Sequence, residues 1–340
     1  MEDFEVNEIL SGYIRMNLSP TQRERDMISG RYEELRKGLP RSKIFQTGSY
    51  ARFTSTTPVH DLDVIFEIPQ DVQVRGEGLA GLPVDTENLH LTNIIETLAK
   101  ELQEYYEGKA EVRPQPHSVG VFFNSGEEFS IDVVPAIPTA NGLYMIPEAG
   151  GKSIAARRNF YESNPKLEWI LTDPKGYIEQ AKDIDKKSNG EFRKSTKFIK
   201  KWKQYCEEED KNYKFKSFHI EQILVGYFKM VQFQNTFAVS KKFFAQLREW
   251  LSHPQLADRA QPDKFIDEYV AELTEGQRAN VFSQGQRASE CLAEMESAST
   301  RAEVISAIEK LLGKDAAIPQ RVSRGPEISV TPVAMPWCAD

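Results

Sequence analysis

The sequence predicts an α+β fold in which a sheet-containing lobe is followed by a helical lobe. Three observations lead to this prediction: a helical N-terminal segment, a series of short β-rich segments between about residues 42 and 138, and helical patterns from about Asp173 onward. A tail punctuated by proline and glycine follows these helices. We therefore expect a first lobe with N-terminal helices over residues 1–172, a helical lobe over 173–315 and an extended tail over 316–340.

The first lobe is expected to begin with a capped helix and two strands. The segment SPTQRERDMISGRYEELRKG offers Ser19 as N-cap, Pro20 as first helical residue and Gly38 as stop. The segments SKIFQTGS and LDVIFEI are rich in β-branched and aromatic residues and predict strands. After a glycine-containing loop, TENLHLTNIIETLAKELQEYYEG shows helical spacing and ends on Gly108.

Three more strand-like segments and a series of helices complete the prediction. AEVRPQ, SVGVFFN and EFSIDVVPAIP have strand character, and an Asn-Ser-Gly turn joins the last two. Helical patterns follow in PKGYIEQAKDIDKK, GEFRKSTKFIKKWKQYCEEE, SFHIEQILVGYFKMVQ and KKFFAQLREWLS, and in two more segments before Leu312.

Composition and charge limit the classes of function. With 40% hydrophobic and 28% charged residues, the chain has the composition of a globular protein. We find no apolar run of about 18 residues and no secretory signal in MEDFEVNEIL, so we expect neither a membrane span nor export. Three widely spaced cysteines favour a reduced, cytoplasmic protein without zinc. The chain has 51 acidic and 43 basic residues, and this excess of negative charge disfavours binding to long nucleic acids.

Three aspartates predict a metal-dependent phosphoryl-transfer site. Asp61 and Asp63 are two residues apart in a predicted strand, so both point to one face, and a cation relieves their repulsion. Asp132 lies in an apolar strand, where an unpaired carboxylate is costly. An edge-strand acid or an arginine pair is the alternative for it. On neighbouring strands, the three would hold two Mg²⁺ ions roughly 3.5–4 Å apart.

Gly48 and Ser49 precede this aspartate pair and predict a phosphate-binding turn. Glycine lets the backbone approach a ligand closely, and serine adds a hydroxyl and an N–H group. An ordinary strand-ending turn is the alternative. The pattern Gly-x-x-x-x-Gly-Lys-Ser/Thr is absent from the sequence, which argues against a P-loop kinase or ATPase.

These motifs resemble those of a known enzyme family. GSYARFTSTTPVHDLDV resembles the Gly-Ser…Asp-x-Asp signature of the polymerase-β-like nucleotidyltransferases, and IDVVPA resembles the strand with the third carboxylate in their oligoadenylate-synthase-like branch. The family-like features extend from about Thr47 to Phe228. The chain thus resembles the bacterial cGAS/DncV-like nucleotidyltransferases (CD-NTases) of anti-phage (CBASS) systems. The resemblance implies a polymerase-β-like catalytic sheet lobe followed by a helical lobe.

The helical half offers further candidate residues. Lys197 shares a helix face with Lys194 and Lys201, and this face is either solvated or turned toward a triphosphate. The resemblance implies that Lys197 and Ser217 contact the donor phosphates and that Phe218 stacks on the base. Such stacking is worth about 1–3 kcal/mol for any base, and a place in the helix core is the alternative for Phe218. The adjacent histidine in KSFHIEQ is expected to be structural.

The resemblance implies a cyclic-nucleotide synthase. Such an enzyme uses two Mg²⁺ ions, with Mn²⁺ as a substitute, to join ATP and other ribonucleoside triphosphates into a cyclic di- or trinucleotide with release of pyrophosphate. A template-independent RNA nucleotidyltransferase of the CCA-adding type is an alternative, disfavoured by the negative net charge and the lack of a basic tail domain. A catalytically silent nucleotide-binding protein is another, disfavoured by the three intact aspartates.

The resemblance also implies protein partners from the same operon. These are an activating protein and enzymes that conjugate the C-terminus to other proteins. The terminal segment VTPVAMPWCAD is either exposed and available for conjugation or packed against the body through Trp337. No motif in the sequence names the bases that are joined.

Overall fold

Two hydrophobic cores organise the chain, one around a sheet and one among helices. The structure is a computed structural model that describes residues 2–40, 42–68, 91–123, 128–147, 169–230 and 235–313. The Asn-Ser-Gly turn, the loop around residues 70–85 and the C-terminal tail lie outside these described residues. No helix in the part of the chain that the structure describes combines the length and the apolarity that crossing a bilayer requires.

Within the described residues the sheet has seven strands, five of which the sequence predicted. The strands are β1 Lys43–Thr47, β2 Asp61–Glu67, β3 Glu111–Pro114, β4 Val119–Phe123, β5 Phe129–Pro138, β6 Tyr144–Pro147 and β7 Trp169–Thr172. The main order is β1-β2-β5-β4-β3, with β2 and β5 parallel and the other neighbours antiparallel. β6 extends the far end of β5, and β7 pairs with β6. The sequence analysis did not predict these last two strands.

The helices of the described residues surround this sheet and form the second lobe. They are α1 Asp3–Tyr13, α2 Gln22–Gly38, α3 Gly48–Ala51, α4 Leu91–Tyr105, α5 Pro174–Lys187, α6 Glu191–Glu209, α7 Ser217–Met230, α8 Thr236–Ala245, α9 Leu247–Trp250, α10 Glu275–Ser297 and α11 Arg301–Leu312. A π-helical turn at Ile14–Leu18 follows α1, and a 3₁₀ turn lies at Glu268–Glu272. The predicted helix KKFFAQLREWLS is divided between α8 and α9.

The start of α2 differs from the prediction. The N-cap is Thr21 rather than Ser19, so the helix begins two residues later than proposed. Thr21 Oγ1 accepts from the backbone N–H of Glu24 (3.2 Å), and the Glu24 carboxylate accepts from the backbone N–H of Thr21 (2.7 Å). This reciprocal pair satisfies two helix-end donors, whereas a lone serine satisfies one. Glu24 also accepts from the backbone N–H of Val59 (2.9 Å), which attaches α2 to the segment before β2.

Helix α1 packs with the second lobe, although it precedes the sheet in sequence. Val6 and Leu10 are fully buried in the same core as Ile308 and Leu312 of α11. The sheet core, by contrast, draws its buried residues from the contiguous stretch between Ile28 and Val133. The domain boundaries stay a prediction, but the first helix contributes its apolar face to the helical lobe.

A candidate active site between the sheet and the helices

A cleft of about 580 Å³ separates the sheet from helices α6 and α7. This volume falls in the range of small-molecule sites, about 300–1,000 Å³. The turn after β1 and the start of β2 form one wall, which includes Gly48, Ser49, Asp61 and Asp63. Helical side chains form the opposite wall. These are Lys200, Lys203, Gln204 and Glu207 from α6, and Ser217, Phe218 and Glu221 from α7.

Strand register brings the three predicted aspartates together, with Asp61 and Asp63 in the lining of the cleft and Asp132 beside Asp63 on the neighbouring strand. β2 and β5 run parallel, and Asp63 lies opposite Asp132. Asp61 is two residues before Asp63, so both side chains lie on one face of β2. The alternating residues Leu62 and Val64 are fully buried in the sheet core, and their packing fixes the register of the strand.

The nearby positive charges compensate the carboxylates of this edge only in part. Burial, followed by the charges of Asp61 and Asp132, raises the pKa of Asp63 to about 6, against the opposing effect of Arg52 and Lys200. Burial also raises the pKa of Asp132, followed by the effect of Asp61. Asp132 Oδ1 is buried without a hydrogen-bond partner. A buried acceptor of this kind is costly unless a donor or cation meets it.

The donor set fits a hard divalent cation. Carboxylate oxygens are the ligands that Mg²⁺ prefers, and a cation would meet the unpartnered oxygen of Asp132 and relieve the repulsion at Asp63. As the side chains stand, no three His, Cys, Asp or Glu groups among the described residues are gathered closely enough to hold a metal ion.

Gly48 is required by its contact with Asp63. Its φ is +68°, which favours glycine. A Cβ atom at this position would lie 1.7 Å from Asp63 Oδ2, so any side chain would displace the carboxylate. Ser49 follows at the cleft surface, and its carbonyl accepts from the backbone N–H of Thr54 (2.9 Å). The Gly-Ser pair therefore lies directly beside the aspartate edge.

A buried ion pair joins the two walls. Arg52 Nε donates to Glu221 Oε1 at 2.5 Å, and Thr54 Oγ1 donates to Glu221 Oε2 at 2.8 Å. Lys200 Nζ donates to the Thr54 carbonyl at 3.1 Å. Burial lowers the pKa of Lys200 to about 8. These contacts connect α6 and α7 to the segment that follows the Gly-Ser turn.

Lys197, which the sequence analysis named, lies outside this cleft. Its amine donates to Ser19 Oγ at 3.0 Å. Burial, followed by the charges of Arg25 and Arg193, lowers its pKa to about 8. The cleft instead contains Lys200 and Lys203 of the same helix. Their spacing of three residues was visible in the sequence, but the helix face that meets the sheet depends on how the lobes pack.

Phe218 and its neighbours form the end of the cleft. The Phe218 ring is half-buried and lines the cleft instead of the helix core. It meets Tyr177 edge-on at 5.0 Å, and the Arg52 guanidinium lies 5.1 Å from its centroid. His219 faces the opposite way, with Nδ1 3.0 Å from the Tyr269 hydroxyl, and burial lowers its pKa to about 4. The environment of His219 is that of a structural residue.

The described lining of the cleft carries more negative than positive charge. Its carboxylates are Asp61, Asp63, Glu207, Glu221 and Asp258, and its cations are Arg52, Lys200 and Lys203. Arg52 is already neutralised by Glu221, and Lys203 pairs with Glu207 at 2.6 Å. A polyanion would therefore be repelled by this lining unless cations entered with it.

Comparison with known proteins gives a family for the first half of the chain. A profile of the Second Messenger Oligonucleotide or Dinucleotide Synthetase domain matches residues 5–185, just over half of the sequence. A cyclic AMP-AMP-AMP synthase from Acinetobacter sp. (strain ATCC 27244 / 9458) is 24% identical over 160 residues. That match spans 47% of this chain and 39% of the relative's length.

Solved structures share the fold over nearly the whole chain. CdnC of E. coli MS115-1 in complex with HORMA-deltaN superposes with a TM-score of 0.66 at 17% identity, covering 90% of this chain and 96% of CdnC. The same protein with ATP gives 0.66 at 16% identity, covering 90% and 97%. The Vibrio cholerae cyclic AMP-GMP synthase DncV gives 0.57 at 14% identity, covering 92% and 87%. These similarities confirm the predicted polymerase-β-like sheet lobe followed by helices.

Proposed function

The chain belongs to the Second Messenger Oligonucleotide or Dinucleotide Synthetase family, and we propose that it joins ribonucleoside triphosphates into a cyclic di- or trinucleotide with release of pyrophosphate. The observation that carries this proposal is the register of β2 and β5, which sets Asp132 opposite Asp63 beside Gly48. The cyclic AMP-AMP-AMP synthase relative and DncV, a cyclic AMP-GMP synthase, support the same reaction class.

Asp61, Asp63 and Asp132 would hold two Mg²⁺ ions, with Mn²⁺ as a substitute. When bound, the ions would neutralise phosphate charge and lower the pKa of the attacking hydroxyl. The negative lining of the cleft supports this role, because a triphosphate needs compensating cations to enter it. Gly48 leaves the backbone open to the phosphates, and Ser49 and Ser217 would donate their hydroxyl groups to phosphate oxygens.

The helical wall would hold the donor triphosphate and its base. Lys203 and Lys200 line the cleft, so we propose that they bind the negatively charged phosphates. Lys197 is not assigned this role, because its amine contacts Ser19. Phe218 would stack on the base, supported from one side by Tyr177. Positioning and charge stabilisation are sufficient for this reaction, and no covalent enzyme intermediate is needed.

Partners follow from the relatives. CdnC forms a complex with a HORMA protein, and we propose that a protein of this type activates the chain in a bacterial cytoplasm during anti-phage signalling. Conjugation through the C-terminal segment is a further proposal, and that segment lies outside the described residues. No long nucleic acid is expected as a partner.

The direct test is synthesis from labelled nucleotides. The purified protein would be incubated with all four labelled ribonucleoside triphosphates and Mg²⁺ or Mn²⁺, beside an Asp61→Asn/Asp63→Asn variant. We expect a product that resists phosphatase and is lost in the variant. Omission of single nucleotides would then identify the bases.

If no product forms, adding a second macromolecule to the assay distinguishes two explanations. Product formed only after addition of a HORMA protein encoded in the same operon would show that activation is required. Extension of added tRNA would contradict the proposed function and favour a CCA-adding type of enzyme.

A further inference from the structure

One lysine of the cleft is already occupied by a carboxylate of its own helix. Lys203 Nζ lies 2.6 Å from Glu207 Oε2, one helical turn away, and both residues line the cleft. The Lys203 side chain is 11% exposed, whereas the Glu207 side chain is 41% exposed. The lysine is therefore fixed inside the site, and its partner lies at the edge of the solvent.

The other cleft carboxylates on the helical side are held by several contacts. Glu221 accepts from Arg52 and from Thr54 and is almost fully buried. Asp258 accepts from the Tyr177 hydroxyl at 3.2 Å and from the backbone N–H groups of residues 260 and 261. Glu207 has one described partner, Lys203. Rotation of the Glu207 side chain into the solvent therefore breaks a single contact. Water can then solvate the carboxylate, so no buried acceptor is left without a donor.

We infer that Glu207 is a displaceable counter-ion, which occupies Lys203 in the empty cleft and competes with the phosphates of the incoming nucleotide. This inference rests on the proposed function, because it requires a phosphate group to reach Lys203. Without a phosphate, Lys203 is a nearly buried cation whose charge acts on Lys200. Glu207 neutralises it in that state and leaves when a stronger anion arrives.

The competition has consequences for both substrate and product. Each phosphate ligand that uses Lys203 must first separate it from Glu207, so the pair raises the KM for the nucleotide. After the reaction, the return of Glu207 to Lys203 favours the departure of pyrophosphate. A ligand without phosphate, such as adenosine, leaves the Lys203–Glu207 pair intact, so the pair does not change its affinity.

Removal of the Glu207 charge tests this inference. Glu207→Gln is compared with Glu208→Gln, which removes the same charge from a neighbouring exposed position that does not line the cleft. Binding of pyrophosphate, α,β-methylene ATP and adenosine would be measured by calorimetry at constant Mg²⁺ and salt. We expect Glu207→Gln to bind the two phosphate ligands about fivefold more tightly, which equals about 1 kcal/mol. Adenosine binding and the Glu208→Gln variant should match wild type.

The outcomes separate the inference from the proposed function. Equal affinity of wild type and Glu207→Gln for both phosphate ligands would overturn the role of Glu207 while leaving the proposed function intact. An equal gain in Glu208→Gln, or a gain for adenosine, would also overturn it, because the effect would then be general. If none of the proteins binds α,β-methylene ATP, the proposed function fails and the inference fails with it.

Steady-state kinetics provide a second measurement. The KM for nucleotide should fall about fivefold in Glu207→Gln without a rise in kcat. In a Lys203→Met background, replacement of Glu207 should have a smaller effect on KM, because the pair is already broken. An unchanged effect in that background would contradict direct competition for Lys203.

Discussion

The two walls of the cleft are built by different physical rules. On the sheet wall, Asp61, Asp63 and Asp132 follow from strand alternation and the register of two parallel strands. On the helical wall, Lys200 and Lys203 reach the cleft because one face of α6 packs against the segment after the Gly-Ser turn. Sheet geometry is fixed by the regular backbone hydrogen bonds between paired strands, whereas the helical wall depends on how two lobes meet. The acidic wall is therefore the more rigidly specified half of the site.

The largest effect is expected on the acidic wall, from Asp63→Asn. Loss of one preorganised charged group should reduce synthesis by at least about 10²–10³-fold. The fold should become more stable at pH 7, by about 1–3 kcal/mol, because burial and neighbouring carboxylates raise the pKa of Asp63 to about 6 and ionisation is therefore costly in the folded state.

The pH dependence checks this explanation. Wild-type stability should fall as the pH rises from about 3.8 to about 6, and the advantage of Asp63→Asn should vanish below that window. Urea denaturation at pH 7 and near pH 3.5 would measure it, with the exposed Asp26→Asn as control. Loss of stability in Asp63→Asn at pH 7 would contradict the assignment of Asp63 as an incompletely compensated buried charge.

The second effect tests the close approach of Gly48 to this wall. Gly48→Ala should reduce activity by about 10²-fold, the order expected when a reacting group is misplaced by about 1 Å. Gly142→Ala is a matched control, because Gly142 also has a positive φ (+82°) but a Cβ atom there would meet nothing within 4 Å. Both variants should lose about 1–2 kcal/mol from backbone strain, and only Gly48→Ala should lose activity. Equal activity in the two would show that the contact with Asp63 is unimportant.

A pair of lysine variants compares two faces of α6. Lys203→Met should raise the KM for nucleotide about 10–100-fold, since a lost charge-assisted hydrogen bond costs about 1.5–3 kcal/mol. Lys197→Met should change KM by less than about threefold, because its amine contacts Ser19 outside the cleft. Steady-state measurement of KM for both variants shows which of the two lysines binds the nucleotide. A larger increase in KM for Lys197→Met than for Lys203→Met would support the phosphate-binding role that the family resemblance implied for Lys197.

The smallest effect concerns the pH response of the helical wall. Burial lowers the pKa of Lys200 to about 8, so its positive charge is lost as the pH rises through that value. We expect kcat/KM to fall about threefold between pH 7 and pH 9. In Lys200→Met this decline should be absent and the activity at pH 7 should be several-fold lower. A pH profile unchanged by the substitution would exclude Lys200 as its source.

Stability provides an independent check on Lys200. A depressed lysine pKa means that the folded state binds fewer protons than the unfolded chain between about pH 8 and pH 10.5. Wild-type stability should therefore rise across this window, and the contribution should be missing in Lys200→Met. Urea denaturation at pH 8 and pH 10 would measure the difference.

The sequence was most informative where local rules decide the structure. Strand alternation and the Gly-Ser turn predicted that Asp61, Asp63 and Gly48 lie together, because both signals act within a few residues. The choice between Lys197 and Lys203 depended on the packing of α6 against the other lobe, which spacing along one helix does not determine. Glu221, which binds Arg52 from 169 positions away, had no local signal at all.

The packing of α1 with α11 has a consequence for synthesis of the chain. At about 5–20 residues per second, α11 leaves the ribosome roughly 15–60 s after α1. The buried residues of the sheet core span Ile28 to Val133, so they are all made within the first part of that interval. We expect the sheet lobe to fold first, while the core around Val6 and Leu10 of α1 is completed only when the last helices arrive.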